Sequence, residues 1–196
     1  MGLEVIEATS VWDRARAGDP AAFGAVFDEH RDRVFGQALR LTRSAHDAED
    51  VTALVFLEAW RRRASVRVVD DSIIAWLLVT TNYVAKNAAR TAHRHRAAMA
   101  TLPPPEPSPD FSTDVDGRLD GEGRAATARA AFARLSKNDQ DVITLCVIEE
   151  LTLPHAARVL GVPVGTVKSR LSRAKQRLAE HLSTFTESES TMGGAR

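Results

Sequence analysis

Apolar positions recur at mostly three- and four-residue steps in Phe23, Val26, Phe27, Val34, Ala38 and Leu41, and again in Val51, Leu54, Val55 and Ala59. A helix turns about 100° per residue, so this spacing keeps one side of each segment apolar. Asp47-Ala-Glu-Asp50 stands ahead of the second set, where carboxylates cap free amides and favour the positive helix end. A third helix is predicted from Ser72 through His93. Farther on, Ser136-x-x-Asp139 reads as a capping box before Val142, Ile143 and Cys146. Thr152 caps a short helix through Leu160, packed by Ala156, Ala157 and Val159. Gly161 then supplies a tight turn and Pro163 starts the next helix. Strand-like alternation of useful length is absent.

The stretch TLPPPEPSPDFSTDVDGRLDGEGR, residues 101–124, holds five of the chain's eight prolines and three of its eleven glycines. Neither helix nor strand persists through such a composition. Six acids (Glu106, Asp110, Asp114, Asp116, Asp120 and Glu122) face only Arg118 and Arg124. The expected fold class is all-α: two small helical domains joined by a flexible, acidic Pro/Gly-rich linker. The expected order is a flexible N-terminus (1–17), a lobe of three to four helices (18–99), the linker (100–124), a helix-turn-helix lobe (125–182) and a polar, disordered tail (183–196).

Composition narrows the function classes. Apolar content of 44% and charged content of 27% are ordinary for a soluble globular chain. The longest apolar run, Ile73 to Val79, is far too short to cross a bilayer. Glu4 and Glu7 occupy a start without a basic-then-apolar segment, so no secretory signal is read and a cytoplasmic location without membrane insertion is expected. Cys146 stands alone, which excludes an internal disulfide and a multi-cysteine zinc site. His93-x-His95 lacks a third ligand nearby, and there is no HExxH, phosphate-binding glycine loop or nucleophile elbow. No catalytic residue, metal site, cofactor or enzymatic activity is therefore expected.

Charge changes the picture at one place. The whole chain balances 26 basic against 26 acidic residues, yet GVPVGTVKSRLSRAKQRL, residues 161–178, holds five cations and no anion. On a helix, Val164, Val167, Leu171, Ala174 and Leu178 fall in one stripe, predicted to face the core. Ser169, Ser172, Arg173 and Gln176 lie opposite, as candidates to meet base edges. Lys168 and Lys175 flank that face on one edge, Arg170 and Arg177 on the other; with Thr166 they are candidates for phosphates. A merely solvated helix usually mixes signs for i,i+4 pairs, whereas no acid occurs from Ala156 to Ala179. Capped helix, glycine turn and cationic second helix make a helix-turn-helix unit for duplex DNA.

The segment LTLPHAARVLGVPVGTVKSRLSRAKQRL (151–178) resembles the C-terminal helix-turn-helix of extracytoplasmic-function (ECF, group 4) sigma factors of the bacterial sigma-70 family. DAEDVTALVFLEAWRRR (47–63) resembles the same family's polymerase-binding region, and WLLVTTNYVAKNAAR (76–90) its promoter-melting region. The similarity covers about residues 18–182, in order. It implies a protein that binds core RNA polymerase, at the clamp helices of the largest subunit and the flap of the second-largest, and directs promoter-specific initiation. Promoter DNA and an anti-sigma protein are the other implied partners.

By the same resemblance, Asp47, Glu49, Asp50, Phe56 and Trp60 lie at or near the polymerase contact, with core packing the competing role for the two aromatics. Arg61, Arg62, Asn82, Tyr83, Lys86, Asn87 and Arg90 are the candidates for the minus-ten element, where unstacked bases must be captured beside phosphate-binding cations. Either Asn82 or Tyr83 takes the base-capturing role. The chain departs from the family at Ala53-Leu54, where Gln-Glu is common, which puts the details of docking in doubt. The acidic linker reads either as a segment drawn into basic polymerase channels or as a solubilising tether. The rival function is a helix-turn-helix regulator that binds duplex DNA without polymerase; it leaves the basic clusters and the DAED helix of the first lobe unexplained.

Overall fold

The computed structural model describes residues 10–42, 44–99 and 120–193, excluding the side chains of 93, 95–99, 120–122 and 185–193. Among these residues the chain is helical: α1 Val11–Ala17, α2 Pro20–Thr42, α3 Ala45–Arg61, α4 Ile74–Met99, α5 Asp120–Arg134, α6 Lys137–Ile143, α7 Leu153–Leu160 and α8 Val164–Gly193. The expected linker lies outside the described residues as far as 119, and the chain is helical from Asp120 onward.

Local chemistry sets most helix ends. Ser136 Oγ accepts from the Asp139 N–H at 3.3 Å, as its capping pattern predicts. The same pattern starts α1, where Ser10 Oγ accepts from the Asp13 N–H at 3.1 Å and Gly18 closes the helix at φ +103°. Residues 11–17 are thus ordered as a helix where a flexible start was expected, because Trp12 is buried against α2 and its neighbours. At α3 the cap is Ser44, whose Oγ accepts from the Asp47 N–H at 3.2 Å. Asp47, Glu49 and Asp50 do not cap; they stand exposed along the first turns. The expected tail from 183 continues α8 as far as Gly193, since no proline or glycine interrupts it earlier.

The first lobe packs Val26 and Val34 of α2 against Val51, Val55 and Phe56 of α3 and Leu77 and Leu78 of α4. Phe56 meets Phe27 edge-on at 4.7 Å between ring centroids. The second lobe gathers Phe132, Val142, Leu145, Val159, Val167 and Ala174. Val69 and Ala75 belong to this second core although they precede and open α4. A tight turn carries Val69 there: Asp70 and Asp71 adopt φ +51° and +56°, and Val69 and Ser72 exchange backbone hydrogen bonds of 3.0 and 3.1 Å. The two lobes therefore pack directly on one another, α4 against α6 and α7 and α2 against α5.

His30 is buried in α2, and desolvation holds its imidazole below 6.5, with Glu29 opposing and Arg33 assisting that shift. The unfolded chain binds the proton more readily, so stability is complete above pH 6.5 and falls as pH drops from 6.5 toward the depressed folded value. One proton bounds that slope at about 1.4 kcal/mol per pH unit. Melting temperatures of the parent chain and of His30→Gln across pH 5–7 check it, and the variant should lose the slope.

Candidate nucleic-acid interface

Thr152 Oγ1 accepts from the His155 N–H at 3.4 Å and starts α7. Gly161 ends it at φ +66°, its N–H bonded to the Ala157 carbonyl at 2.8 Å. That turn aims α8 away from α7. Val167 and Ala174 are fully buried and Leu171 and Leu178 half-buried, as the apolar stripe predicts. Val164 departs from it: it is 43% exposed, because the first turn of α8 projects past the core.

The opposite face is open to solvent at Ser169, Ser172, Arg173 and Gln176. Arg173 Nε bonds the Ser169 carbonyl at 3.3 Å, and Gln176 Nε2 donates to Glu180 at 3.1 Å. The two cationic edges differ. Lys168 and Lys175 stand free in solvent, whereas Arg177 donates to the buried Asp139 carboxylate at 2.6 Å and ties α8 to α6. Arg170, half-buried, turns toward the first lobe, and Thr166 is half-buried with its carbonyl accepting from Ser169 Oγ at 3.1 Å.

On α4 the minus-ten candidates divide between two faces. Tyr83 is 52% exposed, and Asn87 and Arg90 share its side of the helix, where Asn87, Arg90, Thr91 and Arg94 border an open groove. Arg61 and Arg62 lie exposed at the end of α3, both held toward Glu58. Lys86 is half-buried between the lobes, and Asn82 is fully buried there.

Asn82 is the centre of a polar chain across the lobe interface. Its Nδ2 donates to Asp141 Oδ1 at 2.9 Å, and its Oδ1 accepts from Gln37 Nε2 at 2.7 Å. Gln37 also donates to Thr144 Oγ1 at 3.1 Å, and Lys137 donates to Asp141 Oδ2 at 2.7 Å. Gln37, Thr144 and Asp141 are all buried. Burial raises the Asp141 pKa, and the hydrogen bonds of Lys137 and Asn82 oppose that rise. Arg33 pairs with Glu149, Asp70 with His155 at 2.7 Å, and Arg67 donates to the Val159 carbonyl at 2.9 Å, all between the lobes. With the lobes packed this way, Asn82 is out of reach of a base.

The polymerase candidates also divide. Asp47, Glu49 and Asp50 are exposed, Phe56 is core, and Trp60 is half-buried between Phe23, at 5.0 Å between centroids, and the Arg63 guanidinium, 4.6 Å from its ring. This face corrects the sequence reading at Leu54, which the apolar stripe placed with the core, and adds Leu57 and Phe35, which that reading missed. Leu54 and Leu57 are 48% and 53% exposed on α3, and Phe35 borders an apolar groove with Phe27 and Ala53. For Leu57 the signal was present, since it falls outside the apolar stripe of Val51, Leu54, Val55 and Ala59.

Residues 26–95 match the family described as Sigma-70 region 2, and residues 126–178 match Sigma-70, region 4. Over 182 residues the chain is 31% identical to "ECF RNA polymerase sigma factor SigE" of Mycolicibacterium smegmatis, covering 89% of this chain and 67% of that protein. It is 30% identical to "ECF RNA polymerase sigma factor BldN" of Streptomyces coelicolor, covering 87% of this chain and 64% of that protein. The chain thus spans about two thirds of the length of these two relatives. Its fold is similar to that of CnrH, solved in complex with the cytosolic domain of CnrY (TM-score 0.57, 23% identity, 89% of this chain and 96% of that one). It is likewise similar to the sigma factor RpoE, solved with the anti-sigma factor NepR from Bartonella quintana (TM-score 0.55, 23% identity, 82% and 96%). Two sigma-70 regions in sequence order, one carrying the exposed cationic helix and the other the α3–α4 pair, establish that the chain belongs to the ECF sigma factors of the sigma-70 family.

Proposed function

We propose that the chain binds core RNA polymerase through α3 and delivers it to promoters, with α8 in the major groove of the upstream (minus-thirty-five) element and α4 at the minus-ten element. One observation carries this reading: Ser169, Ser172, Arg173 and Gln176 share an open face of α8, behind a capped α7 and the Gly161 turn. Arg173 offers a two-pronged donor for guanine, and Lys168 and Lys175 line the free edge as phosphate contacts. On α4, Tyr83 supplies a stacking ring and Asn87 and Arg90 its polar surroundings; Asn82 joins them only after the lobes part. Docking on polymerase uses Asp47, Glu49 and Asp50 around the exposed Leu54 and Leu57. Leu54 stands with Ala53 where the family commonly has Gln-Glu, and an apolar patch rimmed by acids suits a partner face of matching polarity.

Mixing purified chain with core polymerase and sequencing transcripts made from genomic fragments tests it. Transcripts with a shared upstream element are expected; tight duplex binding without polymerase and no such transcripts would favour a stand-alone regulator. Arg173→Ala should cost about 1–3 kcal/mol at one base position and relax the preference there. Lys168→Ala and Lys175→Ala should weaken all sequences alike, each reducing the salt slope by about one. A uniform loss from Arg173→Ala, measured over a panel of single-base promoter variants, contradicts this division of the helix.

A further inference from the structure

Between the lobes lies a half-open cavity of about 390 Å³ whose walls are cationic from both sides, with Arg62 and Arg67 from the first lobe and Lys137 and Arg170 from the second. Among the described residues Asp141 is the one carboxylate in its lining, and it is buried and already held by Lys137 and Asn82. Arg62 is answered by Glu58 on its own helix, 2.5 Å away. Among the described residues Arg67 has no ion-pair partner, while Arg170 makes no ion pair within 4 Å but lends its charge to Asp141.

Arg67, exposed at the rim, is positioned by one hydrogen bond and by its closeness to Gly161. One N–H bonds the neutral Val159 carbonyl at 2.9 Å, and a Cβ added at Gly161 would sit 2.5 Å from its Nη1. A guanidinium presents five donors in a rigid fork, so most of this one is unspent. Trp76, half-buried on the same wall, adds a flat apolar surface. Like charges brought together by the packing of two lobes repel one another and oppose that packing; a multivalent anion between them reverses the sign. The volume suits a small molecule, since ligand cavities run from about 300 to 1,000 Å³.

We propose that this cavity binds a small oligophosphate, held by Arg67, Arg170 and Lys137, and that in a nucleotide the base lies on Trp76. Because the cations come from both lobes, the bound anion favours the packed arrangement and keeps Asn82 enclosed.

Calorimetry on the full chain, with inorganic pyrophosphate and ATP as separate probes, tests this. Saturable binding and a raised melting temperature are expected for at least pyrophosphate. Arg67→Gln and Lys137→Gln should each weaken both probes by about tenfold, the loss of a charge-assisted contact. Trp76→Leu should weaken ATP alone if the base uses that wall; equal affinities for the two probes support the phosphate site without a base subsite. Arg14→Gln, a charge on α1 away from the cavity, should change nothing, and circular dichroism checks that each variant is folded. The proposal is overturned if neither probe binds at about 5 mM, if folded Arg67→Gln and Lys137→Gln bind normally, or if sulfate at equal ionic strength binds as well. It is also overturned if a single-stranded oligonucleotide binds in place of both probes and loses affinity in the same variants.

Discussion

Asn82→Ala should convert the free chain from packed-together lobes to separated ones. The side chain it removes donates to Asp141 Oδ1 and accepts from Gln37 Nε2 inside an interface where all three residues are buried. Left behind in the packed state, the Asp141 oxygen faces no replacement donor, while Gln37 keeps Thr144 Oγ1 at 3.1 Å. A buried polar group without a partner costs about 1–3 kcal/mol. Opening relieves that cost by letting water in, so the equilibrium should move by roughly 5- to 150-fold toward the open form. Small-angle scattering should report a larger radius of gyration, with helix content unchanged. Tyr83→Ala, one residue on and exposed, should leave the radius as it was. An unchanged radius for Asn82→Ala would mean that apolar contacts such as Val69 and Ala75 in the second core hold the lobes together without the polar chain.

Gly161→Val should markedly weaken duplex binding by the second lobe. At φ +66° the backbone sits in the left-handed region, which costs a non-glycine residue about 1–2 kcal/mol and a β-branched one more. The new Cβ would also stand 2.5 Å from Arg67 Nη1, the end of a flexible, exposed side chain that swings aside at the cost of its bond to the Val159 carbonyl. Strain is the larger of the two, about 2 kcal/mol for a β-branched residue, and it loosens the turn that sets α8 against α7. Denaturant unfolding and duplex-binding titrations measure both consequences. The two causes can be separated: Gly161→Ala should cost less in an Arg67→Ala background than alone, because the second change removes the collision and leaves the strain. Equal costs in both backgrounds would show that strain alone acts at this turn.

Helix ends were the most legible feature wherever a serine or threonine stood three residues before a usable amide, as at Ser136 and Thr152. The same grammar at Ser10 and Ser44 went unread, which cost the reading α1 and misassigned the cap of α3 to its acids. The open face of α8 was legible because the apolar stripe of Val167, Leu171, Ala174 and Leu178 leaves only one direction for Ser169, Ser172, Arg173 and Gln176. Its two edges were not distinguishable in sequence. Arg177 finds Asp139, 38 positions away, only when α8 lies on α6. Phe56 and Trp60 share a helix, yet one is core and the other half-exposed, according to where Phe23 and Phe27 of α2 reach.

What the amino-acid order determined by itself is most of the helices, the caps at Ser136 and Thr152, the Gly161 turn and a cation-rich segment in a neutral chain, since each depends on residues within a few positions of one another. Tertiary structure alone decided that Asn82 lies inside the lobe interface while Tyr83 lies outside it, that Arg170 looks into a shared cavity while Lys168 looks into water, and that Val69 serves the other lobe's core. A helix offers every one of its sides at no local energetic difference; burial and pairing fall to whichever side another element covers, and that element comes from far away in the chain.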